Sequence, residues 1–276
     1  GIMVSFAEIT GRIIEAAERC KIIVRCGIGV NNIDIAAATK KGIMVANVQK
    51  YCADEVSDHV LALMLTLLRR TAYMDRLIKN EVWDPSKARP IPRIKGLTMA
   101  LYGLGDIAGM VAKKTKAFGF NLIAYDPFVS DECFEKMNVT RITDESELFS
   151  RADVLSLHIP LNEKTSRIIT YEKIKRMKPS SILINTARGG IVDEAGLIRA
   201  LQEGLISGAG LDVLKDEYPD MSNPLLHMDN VIVTPHIAYY SEGSEMDLRN
   251  FACDQVIGAL IDGAPRFFIN QKELNR

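Results

Sequence analysis

The sequence predicts an α/β fold of two Rossmann-like, doubly wound domains, and three observations carry that expectation. Short apolar runs alternate with helix-like stretches along almost the whole chain, the pattern of βαβ units and parallel sheets. The strand-like runs of the second half are apolar nearly throughout, as strands covered on both faces are. Between one such run and a helix stands a glycine turn, Gly103-Leu104-Gly105-Asp106-Ile107-Ala108.

The first block reads as strand (Ile2–Ser5), helix (Gly11–Arg19, with Thr10 as its N-cap), strand (Lys21–Arg25), helix (Ile33–Lys40) and strand (Ile43–Asn47). Apolar residues at helical spacing then predict a long amphipathic helix from Ala53 to Arg70. Trp83 precedes a proline-bearing segment, Asp84 to Pro92, that reads as an arm or linker, with an ordinary surface loop as the competing reading. Six strands follow: Thr98–Tyr102, Asn121–Tyr125, Asp153–His158, Ser181–Asn185, Gly208–Val213 and Asn230–Thr234. Helices over Asp106–Phe118, Asp144–Arg151, Tyr171–Met177 and Asp193–Glu203 fill most of the gaps. A last helix, Ser241 to Asp262, leaves this sheet and returns to the first block. The expected domains are therefore residues 1–52 with 240–276, and residues 53–239. Because the chain opens directly on a strand-like run, the first domain is expected to be incomplete at its N-terminus.

A length of 276 residues favours two domains over one. With 34 Lys and Arg against 35 Asp and Glu, the formal net charge of −1 argues against a general nucleic-acid or anionic-membrane surface. The five cysteines are scattered without a CxxC pair, which suits a reducing cytoplasm better than a disulfide framework. The longest apolar run, Val60 to Leu68, is about half the roughly 20 residues a membrane span needs. No His, Cys, Asp or Glu spacing resembles a metal site, and no GxSxG or P-loop is present.

In the glycine turn, Gly103 permits the tight bend, Gly105 lets a backbone approach a pyrophosphate, and Ala108 is small enough for helix to pack on strand. The amides and dipole of the helix N-terminus, at Asp106 and Ile107, favour negative charge. Asp126 closes the next strand, where an acid bonds a ribose 2′-hydroxyl and repels a 2′-phosphate. The turn thus points to NAD rather than NADP.

Three polar residues stand just past strand ends, where doubly wound folds bind ligands: Arg188, Glu217 and His236. Singly, each has a bland reading as a surface charge, a solvated acid or a loop histidine. Together they fit hydride transfer at a hydroxyl-bearing carbon. Histidine titrates nearest neutrality and takes the hydroxyl proton, and a carboxylate on its other nitrogen fixes the tautomer. A planar guanidinium grips a substrate carboxylate. His59, inside a helix, reads as packing, and His227 as surface.

These segments resemble the D-isomer-specific 2-hydroxyacid dehydrogenases, in particular the branch of phosphoglycerate dehydrogenase and the C-terminal-binding-protein corepressors. Arg25-Cys26-Gly27-Ile28-Gly29-Val30-Asn31-Asn32-Ile33-Asp34 resembles the family's RxGxGxDNID segment, with Asn31 in place of the usual Asp. Ile184 through Gly190 resembles the arginine motif, Leu211-Asp212-Val213 through Glu217 the glutamate motif, and Thr234-Pro235-His236-Ile237-Ala238 the histidine motif. Tyr218 separates Glu217 from Pro219, where the family usually has Glu-Pro. The resemblance implies NAD-dependent interconversion of a small D-2-hydroxy acid and its 2-oxo acid, with Arg188, Glu217 and His236 catalytic. It implies that Gly103, Gly105, Asp106, Ile107, Asp126, His158, Thr186, Ala187 and Asp212 bind NAD, and that Ile28, Gly29, Arg188 and Tyr239 bind substrate. It further implies a flavodoxin-like substrate domain lacking an N-terminal part, crossings near Ala53 and Tyr239, and a homodimer through the long helix and the Trp83 arm. The alternative is a corepressor-like NAD(H)-sensing binding protein with little or no turnover.

Overall fold

The computed structural model describes residues 1–274. The chain divides into two compact units, Gly1–Cys52 with Tyr240–Arg276, and Ala53–Tyr239.

The first unit opens with β1 (Ile2–Val4), α1 (Gly11–Ala16), β2 (Ile22–Arg25), α2 (Ile35–Lys40) and β3 (Met44–Asn47). The strands pair in parallel in the order β1-β2-β3, with Ile2 opposite Ile23 and Ile23 opposite Val45. Thr10 does occupy the N-cap of α1 in extended conformation, but its side chain makes no capping bond. Helix α2 begins two residues later than its apolar pattern suggests, because Asp34 caps it by accepting from the Ala37 N–H at 2.9 Å. Ile14, Ile23, Val24 and Val45 are fully buried in this unit's core, each worth about 1.5–3 kcal/mol of burial.

The second unit begins with α3 (Ala53–Arg69), which stops where Arg70 turns to a left-handed φ of 55°, and continues as α4 (Thr71–Lys79). The segment from Asp84 to Pro92 contains a 3₁₀ turn at Pro85–Ala88. There follow β4 (Thr98–Tyr102), α5 (Asp106–Lys116), β5 (Asn121–Tyr125), α6 (Asp131–Met137), β6 (Thr140–Arg141), α7 (Glu145–Arg151), β7 (Val154–Leu157), α8 (Tyr171–Ile174), β8 (Ile182–Asn185), α9 (Glu194–Gln202), β9 (Gly208–Leu211) and β10 (Val231–Val233). Seven parallel strands lie in the order β10-β9-β8-β7-β4-β5-β6. The winding reverses between β4 and β7, which creates the crevice where this class of sheet binds ligands.

Both faces of this sheet are covered, and that explains its continuous apolar strands. Leu155, Leu183 and Ala209 face a core with Phe149, Ile191 and Leu197, while Val154, Ile182 and Ile184 face another with Val60, Met64 and Val111. Helix α6 and the two-residue edge strand β6 were not expected from the sequence.

The chain returns to the first unit through α10 (Glu242–Ile257), which starts in a capping box between Ser241 and Ser244 and packs on β2 and β3. A π-helical turn, Gly258–Asp262, replaces the end of the expected long helix, and α11 (Gln271–Leu274) closes the described chain. Just before α11, the Asn270 side chain accepts from the Val45 N–H at 2.8 Å and donates to the Ile43 carbonyl at 3.0 Å, capping the edge of β3. Among the described residues no helix is long and apolar enough to cross a membrane.

Candidate active site

Every element of the candidate site in the second unit follows the carboxyl end of a strand. Gly103 follows β4, Asp126 follows β5, His158 follows β7, Arg188 follows β8, Asp212 and Glu217 follow β9, and His236 follows β10. Since β8, β9 and β10 are neighbours, the three candidate catalytic residues stand at one rim of one sheet.

The glycine turn is shaped by contacts on one side and open space on the other. Gly103 has φ 95°, and a Cβ there would lie 2.8 Å from both the His158 carbonyl oxygen and Ile159 Cγ2. Only glycine fits so close to the end of β7. At Gly105, the N-cap of α5, a Cβ would meet nothing within 4 Å. That opening faces the N-terminus of an 11-residue helix, a ready anion site. Ala108 is fully buried beneath it.

Asp126 spans the turn from the neighbouring strand. Its Oδ2 accepts from the Leu104 N–H at 2.9 Å and its Oδ1 from the Phe128 N–H at 2.9 Å. A carboxylate has about four lone-pair positions, so acceptor capacity remains for a ribose hydroxyl. Ala187 N–H donates to Asn185 Oδ1 at 3.0 Å, while the adjacent Thr186 Oγ1 is buried without a hydrogen-bond partner among the described residues. A buried hydroxyl in that state is expected to meet a polar group of a ligand. The orphaned hydroxyl and the open cradle at Gly105 together fit a dinucleotide. Burial pushes the His158 imidazole down to about 4, so it is neutral at physiological pH, with Nε2 2.9 Å from Ser156 Oγ.

His236 Nδ1 lies 2.6 Å from Glu217 Oε1, the paired geometry expected of a base and its orienting carboxylate. The histidine backbone is left-handed, φ 54°, and its N–H donates to the Asp212 carbonyl at 2.8 Å. The Asp212 side chain holds the same turn: Oδ1 accepts from Thr234 Oγ1 at 2.6 Å and from Ile237 N–H at 3.0 Å, and Oδ2 from Ala238 N–H at 2.9 Å. With three donors on it, this carboxylate keeps roughly one acceptor position for anything else. The Tyr239 ring stands edge-on to the His236 imidazole, 6.3 Å away.

Arg188 donates from one terminal nitrogen to the Ala187 carbonyl at 2.6 Å, and its own carbonyl accepts from Asn185 Nδ2 at 2.9 Å. The next residue is sterically critical. A Cβ on Gly189 would fall 1.8 Å from the Leu214 carbonyl oxygen, so the arginine turn and the Glu217 loop touch backbone to backbone. Glu194 clamps that loop from α9, accepting from Lys215 N–H at 3.0 Å and Asn223 Nδ2 at 2.9 Å. Gly189 entered the sequence reading only as part of the arginine motif and Glu194 only as part of a helix, because both act through contacts across the fold.

Other expected residues have plainer surroundings. In the first unit, the Ile28 carbonyl accepts from Asn47 Nδ2 at 2.7 Å, and Gly29 follows it directly in the chain. There Gly27 has φ 139°, and the Arg25 guanidinium, donating to the Cys26 carbonyl at 2.8 Å, fills the space a Cβ would need. His227 is exposed, 2.7 Å from the Met221 carbonyl. Among the described residues no group of His, Cys, Asp and Glu could hold a metal ion.

Comparison with known proteins matches residues 61–238 to the D-isomer specific 2-hydroxyacid dehydrogenase, NAD binding domain. The chain is 41% identical over 252 residues to a D-3-phosphoglycerate dehydrogenase of Methanocaldococcus jannaschii, covering 91% of this chain and 48% of that protein. It is 33% identical over 268 residues to a glyoxylate reductase of Korarchaeum cryptofilum, covering 96% of this chain and 80% of that protein. Among solved structures, a D-lactate dehydrogenase from Aquifex aeolicus complexed with NAD and lactic acid is similar with a TM-score of 0.84 and 33% identity, covering 95% of this chain and 83% of that one. The chain spans about half the length (48%) of the D-3-phosphoglycerate dehydrogenases it matches.

Proposed function

The chain belongs to the D-isomer-specific 2-hydroxyacid dehydrogenase family, and from that premise we propose that it is an NAD-dependent oxidoreductase interconverting a small D-2-hydroxy acid and its 2-oxo acid. The observation that carries this reading is the His236–Glu217 pair, 2.6 Å apart, at the sheet rim that also bears Arg188 and the glycine turn.

Glu217 accepts the Nδ1 proton of His236, which fixes the ring so that Nε2 exchanges a proton with the substrate hydroxyl. In oxidation that proton passes to Nε2 as the hydride leaves the same carbon and a carbonyl forms; in reduction His236 returns it. NAD, when bound, supplies the hydride acceptor or donor. Arg188 binds the substrate carboxylate and polarises the adjacent carbonyl, a task suited to a planar guanidinium. Tyr239, edge-on to His236, shapes the substrate's surroundings, and the Ile28–Gly29 turn is assigned to substrate by the family resemblance alone. Gly103, Gly105, Asp106, Ile107, Asp126, His158, Thr186, Ala187 and Asp212 are the proposed NAD contacts. Residues 53–239 are the proposed NAD-binding domain, and residues 1–52 with 240–276 the substrate domain.

We propose a cytoplasmic enzyme that works as a homodimer. Trp83 is 83% exposed, and a groove of about 700 Å³ beside Leu67, Tyr73, Pro90, Ile91 and Ile232 offers apolar surface to a second copy.

The test is NADH oxidation with a panel of hydroxypyruvate, phosphohydroxypyruvate, glyoxylate and 2-oxoglutarate. Turnover is expected with at least one, falling about 10²–10⁴-fold in His236→Ala. NADH binding and NADH-dependent dimerisation without turnover on any 2-oxo acid would favour the corepressor-like alternative.

A further inference from the structure

We propose that His59, on helix α3, is a positioning residue for His236, acting through Thr234 and the buried carboxylate of Asp212. His59 stands 175 residues from Thr234 in the chain, yet its Nε2 lies 2.9 Å from Thr234 Oγ1 and 3.6 Å from Asp212 Oδ1.

The direction of the hydrogen bonds follows from proton count. Thr234 Oγ1 is 2.6 Å from Asp212 Oδ1, and a carboxylate only accepts, so the single hydroxyl proton points at Asp212. The Thr234 oxygen is then left as an acceptor. His59 Nε2 must be the donor, and the tautomer carrying hydrogen at Nε2 is fixed. The chain of donation runs His59 to Thr234 to Asp212.

What this chain supports is the turn that carries His236. The Asp212 side chain has no solvent exposure, and burial without enough donors is costly for a carboxylate. Its donors are Thr234 Oγ1 and the N–H groups of Ile237 and Ala238, which bracket His236. The Asp212 carbonyl holds the His236 N–H itself. His236 is a non-glycine residue at φ 54°, a conformation that persists where surrounding bonds over-determine it. Removing the His59 N–H leaves the Thr234 oxygen without its donor and withdraws a dipole from the buried carboxylate, loosening the turn and the 2.6 Å His236–Glu217 contact.

The support is itself packed against the sheet. Helix α3 packs on α5, β8, β9 and β10. Beside His59, the Lys114 ammonium of α5 pairs with Asp54 at 2.6 Å and Asp58 at 2.5 Å. A residue that only filled space at the α3–sheet contact would be replaceable by an apolar side chain of similar size. A donor in this chain would not.

The inference rests on the proposed function only in taking His236 as the proton-transfer group, and its test does not need turnover. The full chain, labelled with ¹⁵N-histidine, has four imidazoles to assign, and His236→Gln identifies that of His236. The expected result is an Nδ1–H resonance of His236, protected by Glu217, whose exchange with water accelerates at least about tenfold in His59→Leu and returns toward the wild-type rate in His59→Gln, whose amide can still donate. With an active 2-oxo acid, kcat in His59→Leu falls about tenfold. If His59→Leu does not fold, Thr234→Val breaks the same chain at its middle link and is expected to reproduce the effect. A His236 resonance in either folded variant as protected as in the wild type overturns the proposal, as does its lack of protection in the wild type. Failure of the wild-type chain to oxidise NADH with any 2-oxo acid of the panel defeats the proposed function and leaves the resonance to decide the role of His59.

Discussion

Two glycines two residues apart in the nucleotide turn are expected to respond oppositely to the same added methyl group. In Gly103→Ala the residue keeps φ 95°, and its Cβ falls 2.8 Å from the His158 carbonyl oxygen and from Ile159 Cγ2. A left-handed conformation costs an L-residue about 1–2 kcal/mol, and forcing a methyl against backbone costs about 1–3 kcal/mol more. With a sum near 3 kcal/mol and about 2–4 °C per kcal/mol for a unit of this size, the melting temperature is expected to drop by about 6–12 °C. In Gly105→Ala nothing lies within 4 Å of the new methyl, and the backbone is extended, with φ −87° and ψ −165°. Stability is therefore expected to hold or to rise by about 0.4–1 kcal/mol, since alanine lowers the entropy of the unfolded chain. That same methyl would stand in the proposed approach of a pyrophosphate to the N-terminus of α5. NADH affinity is expected to weaken at least about tenfold, 1.4 kcal/mol. Thermal melting followed by circular dichroism and NADH titration followed by fluorescence read the two effects separately. Wild-type NADH binding by Gly105→Ala, or a wild-type melting temperature for Gly103→Ala, refutes the division of labour.

Gly189→Ala is expected to cost both stability and turnover, because its Cβ would sit 1.8 Å from the Leu214 carbonyl and displace the loop bearing Glu217; melting and kcat on one preparation check it, and unchanged kcat in a folded variant counts against that contact. The pH dependence of stability follows from His158. Its folded value of about 4 lies below the ordinary 6.5, so the folded chain binds fewer protons between those values. Stability from this residue is complete above about pH 6.5 and is lost as pH falls toward 4, by up to about 3 kcal/mol. Urea unfolding between pH 7 and 4 is expected to show a slope that shrinks in His158→Gln; identical slopes refute the assignment.

Strands buried on both faces were the most legible part of the fold. Runs such as Val154–Leu157 and Ile182–Asn185 are apolar because α3 and α5 cover one face and α8 and α9 the other, so composition alone marks them. The edge strand β6 was illegible for the opposite reason: Thr140 is exposed, Arg141 is half-buried, and neither carries an apolar signal. Helix ends shifted wherever a side chain or a backbone turn intervened, as at Asp34 and at left-handed Arg70.

The sequence by itself determined the chemical kit: a glycine turn after a strand, an acid one strand later, and arginine, glutamate and histidine each a few residues past a strand end. Their positions are local, and local pattern suffices to find them. Tertiary structure alone decided what those groups touch. The distance from His236 to Glu217, the buried Asp212 that holds the histidine turn, the donor on α3 and the backbone contact at Gly189 each join segments with no sequence relation. The physical reason is that hydrogen bonds and steric contacts act over about 3 Å in space, while the chain segments that supply them meet only once the sheet has ordered β8, β9 and β10 side by side.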